Sequence, residues 1–260
     1  MTRVIWDDVP SRLYHTGIDR GMLYIPDAIP VPVAVPWTGL VSITENPDGG
    51  DGQAFFIDGR KHQNTPAGEN YKATLEALWA PKEFYPCAGW NELSIGLFAV
   101  DQPRAPFGFS YRTKVGSYAQ GTDYAYKIHV IFNAVGQISN FTHATVTDSP
   151  QPKTHSWTVT ASPSASAYDG ATINSRPTAH VVLDTRRISE TGIKFLENIL
   201  YGTDADDPRM PSIREIQELM ALQNSTGSIS LKKPGISGTA ILTGNYAAMY
   251  LKKPHLSGHN

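Results

Sequence analysis

Few residues of this 260-residue chain stand at spacings that could do chemistry. Of the eight histidines, only His255 and His259 are related as i, i+4. That spacing joins two metal ligands on a helix, but Ser257-Gly258 lies between them and no shaped second shell is evident, so no metal site is expected. Asp204, Asp206 and Asp207 cluster in "YGTDADDPRMP" and could in principle hold calcium or move protons. No glutamate stands at loop position twelve, and turn-forming Asp reads here as a polar connection between two helices. Cys87 follows Pro86 without an adjacent cation, which describes a buried spectator thiol rather than a nucleophile. Tyr14-His15, and Tyr118 near Asp123, lack a third partner in the sequence. The nucleophile elbow, Walker loop, dinucleotide fingerprint and H-E-x-x-H motif are all missing. No catalytic residue and no cofactor are expected.

The stretch "APFGFSYRTKVGSYAQGTDYAYKIHVIFNAV" at 105–135 mixes seven Phe or Tyr rings with Arg112, Lys114, Lys127 and His129. A nucleic-acid stacking platform needs rings and cations on one exposed face. In "DYAYKIHVIFN", however, Tyr124, Tyr126, Ile128, Val130 and Phe132 alternate with Ala125, Lys127, His129 and Ile131. The period of two puts the rings on an apolar face and the cations on a mostly polar one, as in a core strand. Charge is nearly balanced, at a formal −2, so a general polyanion-binding surface has no support.

The elements around these residues read as mainly β. The 22 Gly and 19 Pro punctuate short apolar runs. Residues 1–36 read as an extended arm, because prolines at 26, 30, 32 and 36 exclude a helix or a central strand. Strands at 39–45 and 53–58 flank a hairpin loop made of Asn46, Pro47, Asp48, Gly49, Gly50, Asp51 and Gly52. "NTPAGENYKATLEALWAPKEF" predicts a helix, with Thr65 as cap and Tyr71, Leu75, Leu78 and Trp79 on one face against a sheet. Strands follow at 93–100, 107–115, 122–134, 140–147, 153–161 and 178–184. Two helices come next. The first is capped by Ser189 and stopped by Gly202; the second carries a Ser212–Glu215 capping box. Beyond 222, "LKKPGISG" is echoed by "LKKPHLSG", with strand-like pieces near 228–231, 239–243 and 247–251. The one cysteine excludes an internal disulfide, and neither a signal-peptide core nor a membrane-length apolar run is present, as expected for a soluble chain of a reducing cytoplasm.

Several stretches together carry a resemblance. "GLFAVDQPRAPFGFSYRT" (96–113), "GTDYAYKIHVIFNA" (121–134), "DSPQPKTHSWTVTASP" (148–163), "RPTAHVVLDT" (176–185) and "LENILYGTDADDPRMPSIREI" (196–216) follow "WDDVPSRLYHTGIDRGMLYIP" and "VPWTGLVSITE". In this order the chain resembles the major tail (tail tube) proteins of long-tailed phages infecting actinobacteria, over roughly residues 4–222. The resemblance implies an α+β chain, mainly β: a β-sandwich or barrel-like tail tube domain over 1–222, with packed helices and the 1–36 arm. Residues 223–260 fall outside the resemblance and read as a small C-terminal β extension, docked on a sheet edge with its paired lysines on the tube exterior.

It also implies a structural virion protein without catalytic residues, made in the bacterial host cytoplasm. Its rings, commonly hexameric, stack into a tube through which the genome is delivered. The partners so implied are other copies of the chain, the tape measure protein, other tail proteins, and double-stranded DNA in the lumen without sequence-specific binding; a membrane is not among them. The 46–52 loop and the arm are expected to order only between subunits, since Gly, Asp and Pro make poor core. The alternatives are a tail-tip or receptor- or carbohydrate-binding β-sandwich protein, and a hydrolase whose site is dispersed along the chain.

Overall fold

The computed structural model describes residues 6, 9, 12–26, 32–49, 53–58, 60–65, 69–140, 143, 145, 152–163 and 177–224. Its centre is the hairpin of β10 (Phe107–Ser117) and β11 (Gly121–Asn140), turning at Gly121, whose φ of 89° suits glycine. On one side β10 pairs with β1 (Leu13–Ile25), and β1 with the short edge strand β2 (Val33–Pro36). On the other, β11 is flanked end to end by β12 (His155–Ala161) and β13 (His180–Asp184). β12 then pairs with β7 (Glu69–Ala77), and β7 with β3 (Leu40–Glu45) and the two-residue β4 (Asp48–Gly49). Every pairing is antiparallel, and among the described residues no sheet closes on itself. Two separate hairpins complete the β content: β5 (Gln53–Ile57) with β6 (Arg60–Thr65), and β8 (Asn91–Ser94) with β9 (Leu97–Ala99).

Both faces of the central strands are covered, so β10 is buried along most of its length instead of alternating. One face curls around Trp37, whose ring meets Phe84, Phe109 and Trp157 at centroid distances of 4.5, 5.7 and 5.6 Å. The Trp37 indole donates to the Trp79 carbonyl at 2.9 Å, so this large ring is buried without an orphaned N–H. The opposite face receives helices α1 (Glu190–Tyr201) and α2 (Ile213–Asn224). Leu196, Leu200, Ile213 and Ile216 bury there against Met22, Tyr24, Ile128, Val130, Phe132 and Leu183. Met210 packs into the space left by Gly108, where a Cβ would lie 2.0 Å from Met210 Sδ.

The two helices follow their sequence signals. Ser189 Oγ accepts the Gly192 N–H, Gly202 is the C-cap, and Ser212 Oγ accepts the Glu215 N–H. The helix expected around 65–80 is instead strand β7. Ala73, Leu75 and Ala77 are buried in alternation with Lys72, Thr74 and Glu76, while Leu78 and Trp79 are exposed. Two alanines hide the period of two and favour a helix locally, but pairing along both edges of the segment decides for the strand.

Four further expectations are corrected. Strands 39–45 and 53–58 do not form a hairpin: β3 pairs with β7, and β5 with β6. The strand at 93–100 is two strands reversing at Ile95-Gly96. His143 and Thr145 are not in a strand; β11 itself runs to Asn140, and the rest of 141–147 lies outside the described residues. Residues 13–25 of the supposed arm belong to the chain's own sheet, with Leu23 and Tyr24 in its two cores. α2 runs through Asn224, and the echo of 225–260 lies outside the described residues.

Candidate functional site

Residues 46–49 of the expected loop continue β3 along β7. The Asn46 N–H donates to the Lys72 carbonyl at 2.8 Å, and Asp48 and Gly49 pair with Asn70 and Glu69. Lys72 Nζ lies 3.5 Å from Asp48 Oδ2, an exposed pair of little energetic weight. Gly50, Asp51 and Gly52 lie outside the described residues, as do His255 and His259. Asp204, Asp206 and Asp207 occupy an exposed interhelical loop, where Thr203 Oγ1 accepts the N–H groups of Ala205 and Asp206. Cys87 is fully buried, and burial pushes its thiol up to about 12, as befits an inert side chain.

Within β11 the rings of Tyr126 and Phe132 alternate with Lys127 and His129, but across the β10–β11 pair rings and cations share faces: Arg112 lies over Tyr126 and Tyr111 stacks on His129, and the His129 face is not polar. His129 is 8% exposed and Ile131 is fully buried. Arg112 lies 4.3 Å from the Tyr126 ring centroid and is held by Asp19 through two 2.8 Å hydrogen bonds and by Glu197 at 3.1 Å. Burial works against the Arg112 charge, yet Asp19 and Glu197 hold its pKa above the usual arginine value. Tyr126 donates to the same Glu197 oxygen at 3.0 Å, so this network fastens α1 to the sheet. It presents no free guanidinium to a phosphate.

A second group of titratable side chains is one that the sequence does not bring together. Glu45 ends β3, Tyr71 lies on β7, Tyr111 and Thr113 on β10, His129 on β11 and His180 on β13. His129 Nδ1 faces His180 Nε2 at 3.0 Å and Glu45 Oε1 at 3.4 Å. His129 Nε2 lies 3.1 Å from Thr113 Oγ1, and the Tyr111 hydroxyl donates to Glu45 Oε1. Tyr111 stacks on His129 at 4.5 Å, and the edge of Tyr71 meets His180 at 4.7 Å.

Burial brings His129 down to about 4, with His180 adding to the shift and Glu45 opposing it. Burial lowers His180 as well, so at neutral pH both imidazoles are uncharged and keep a lone pair. Burial raises the Tyr111 hydroxyl, which stays a proton donor. The curl of the sheet makes the site, since β3 and β10 stand apart in strand order yet meet across its concave face. Glu45, His129 and His180 are 84 and 51 positions apart in sequence, beyond any spacing motif.

Two surface features stand out. The β8–β9 hairpin carries Leu93, Ile95 and Leu97 at 65%, 102% and 56% exposure, three apolar side chains around one turn. Near its base is a recess of about 100 Å³ lined by Trp79, Phe84, Tyr85, Trp90, His155 and Trp157, among others. Among the described residues no helix is long and apolar enough to cross a membrane. Compared with known proteins, the chain matches no family model and no curated sequence.

Proposed function

We propose that this chain is a structural virion protein: the subunit of a phage tail tube, assembling into stacked hexameric rings whose bore delivers the genome. The observation that carries this reading is a curled, open-edged antiparallel sheet beside an exposed apolar hairpin, in a chain whose collinear motifs resemble that family. Open strand edges and clustered exposed Leu and Ile are liabilities in a monomer and become interface when copies pair. The curled sheet is read as the sandwich or barrel-like core of the fold, with inner strands of neighbours joining into the wall of the bore.

The charge pattern agrees with a DNA conduit. Lys72, Lys114, Arg112, Lys194, Arg209 and Arg214 each lie against a carboxylate of the same chain. Cations so paired grip phosphate less than those of a basic groove. The partners on this reading are further copies of the chain, the tape measure protein and other tail proteins, with double-stranded DNA in transit.

A second reading, a tail-tip or carbohydrate-binding protein, is favoured by the recess flanked by Trp79, Tyr85 and Trp90, since sugars stack on such rings. Light scattering across a concentration series with negative-stain imaging separates the two. Hollow tubes or rings support the tube subunit. A folded protein that stays monomeric throughout overturns it, and glycan binding by that monomer selects the second reading.

A further inference from the structure

We propose that Glu45, His129 and His180 form a binding site for one divalent transition-metal ion of the Zn²⁺ class, which clamps the curled sheet. The reason is the convergence of three lone-pair atoms: one from each of Glu45, His129 and His180, all within 4.8 Å of one another. Two of the separations are 3.0 and 3.4 Å. Ligands bound about 2.0–2.1 Å from a tetrahedral ion stand about 3.3 Å apart, so two edges of a coordination shell are nearly in place. The third closes by rotation of the Glu45 carboxylate, whose side chain is 36% exposed at the end of β3.

The surroundings are those of a metal site. With its proton on Nε2, His129 donates to Thr113 Oγ1 and turns a bare Nδ1 toward the other two ligands. Tyr111 donates to Glu45 Oε1 and fixes the carboxylate from behind. Without a cation, one proton bridges the two imidazoles, and Glu45, itself held by Tyr111, adds negative charge beside them. Two imidazoles and a carboxylate suit Zn²⁺ better than the hard ions Ca²⁺ or Mg²⁺, which take all-oxygen shells. Glu45 is the exposed member of the three, so the ion would enter from its side.

The ion would tie β3 to β11 and β13, strands that β12 and β7 separate in the sheet. Its function is therefore to hold the curl, and it binds whether or not the chain assembles.

The test uses the full chain stripped with a chelator and then dialysed free of it. Titration with Zn²⁺ against a competing chromophoric chelator should give one ion per chain and raise the thermal midpoint. Co²⁺ should give visible absorption bands of a low-coordinate nitrogen and oxygen site. Glu45→Gln, which keeps the volume and the Tyr111 contact, and His180→Asn should each weaken binding at least about tenfold. His255→Asn with His259→Asn should leave it unchanged. Absence of both the midpoint shift and the Co²⁺ bands in the unaltered chain overturns the proposal. So does undiminished binding in folded Glu45→Gln and His180→Asn proteins, which would assign the ion to other histidines.

Discussion

Replacing Ile95 by Asp should separate folding from assembly. In the subunit Ile95 is 102% exposed at a two-residue turn, so its side chain contributes no buried area to the fold. Asp is at home in turns, and the substitution should move subunit stability by no more than about 0.5 kcal/mol. In the proposed tube, a neighbour that covers Ile95 would gain roughly 1.5–3 kcal/mol from that one side chain. Asp loses this gain and must also shed its hydration, so each subunit contact should weaken by at least about 10–100-fold. Thermal unfolding of the free subunit measures the first effect. Sedimentation and negative-stain imaging over a concentration series measure the second, with Ile95→Val as the control that retains the apolar contact. Tubes formed by Ile95→Asp at the same threshold concentration as the parent would refute the assignment of this hairpin to the interface.

Deleting residues 47–51 removes the short β4 pairing and the exposed Asp48–Lys72 pair, and should give a subunit with normal circular dichroism that does not polymerise; normal tubes would show that the segment has no assembly role. Tyr24→Phe should destabilise the subunit by about 1–3 kcal/mol in urea unfolding, because the hydroxyl donates to the Leu200 carbonyl at 2.8 Å and lies 3.1 Å from Ser110 Oγ in a buried setting. Asp19, whose pKa is lowered chiefly by the hydrogen bond from Arg112, adds stability that is present above the unfolded value of about 3.9 and is lost as pH falls through the lower folded value. Asp19→Asn should therefore lose on the order of 1 kcal/mol at neutral pH and show a flatter acid limb below about pH 4 in unfolding curves.

What the sequence determined by itself was local. The capping residues Ser189 and Ser212, the stop at Gly202 and the apolar stripes between them define both helices, because helix signals act within a few residues. The alternation in 122–134 and 153–161 likewise defines strands whose ladders the structure contains. Pairing partners were not legible. The 69–77 segment satisfies a helical count and a strand count alike, and only β3 and β12 on its two edges select the strand. The same blindness misassigned the 46–52 segment, because Gly and Asp mark a turn without saying which strands it joins. Only tertiary structure could reveal the Glu45, His129 and His180 cluster. His129 and His180 lie on the paired strands β11 and β13, and β3 brings Glu45 to them because the sheet curls around Trp37; curvature is a property of packed layers, absent from any window of sequence.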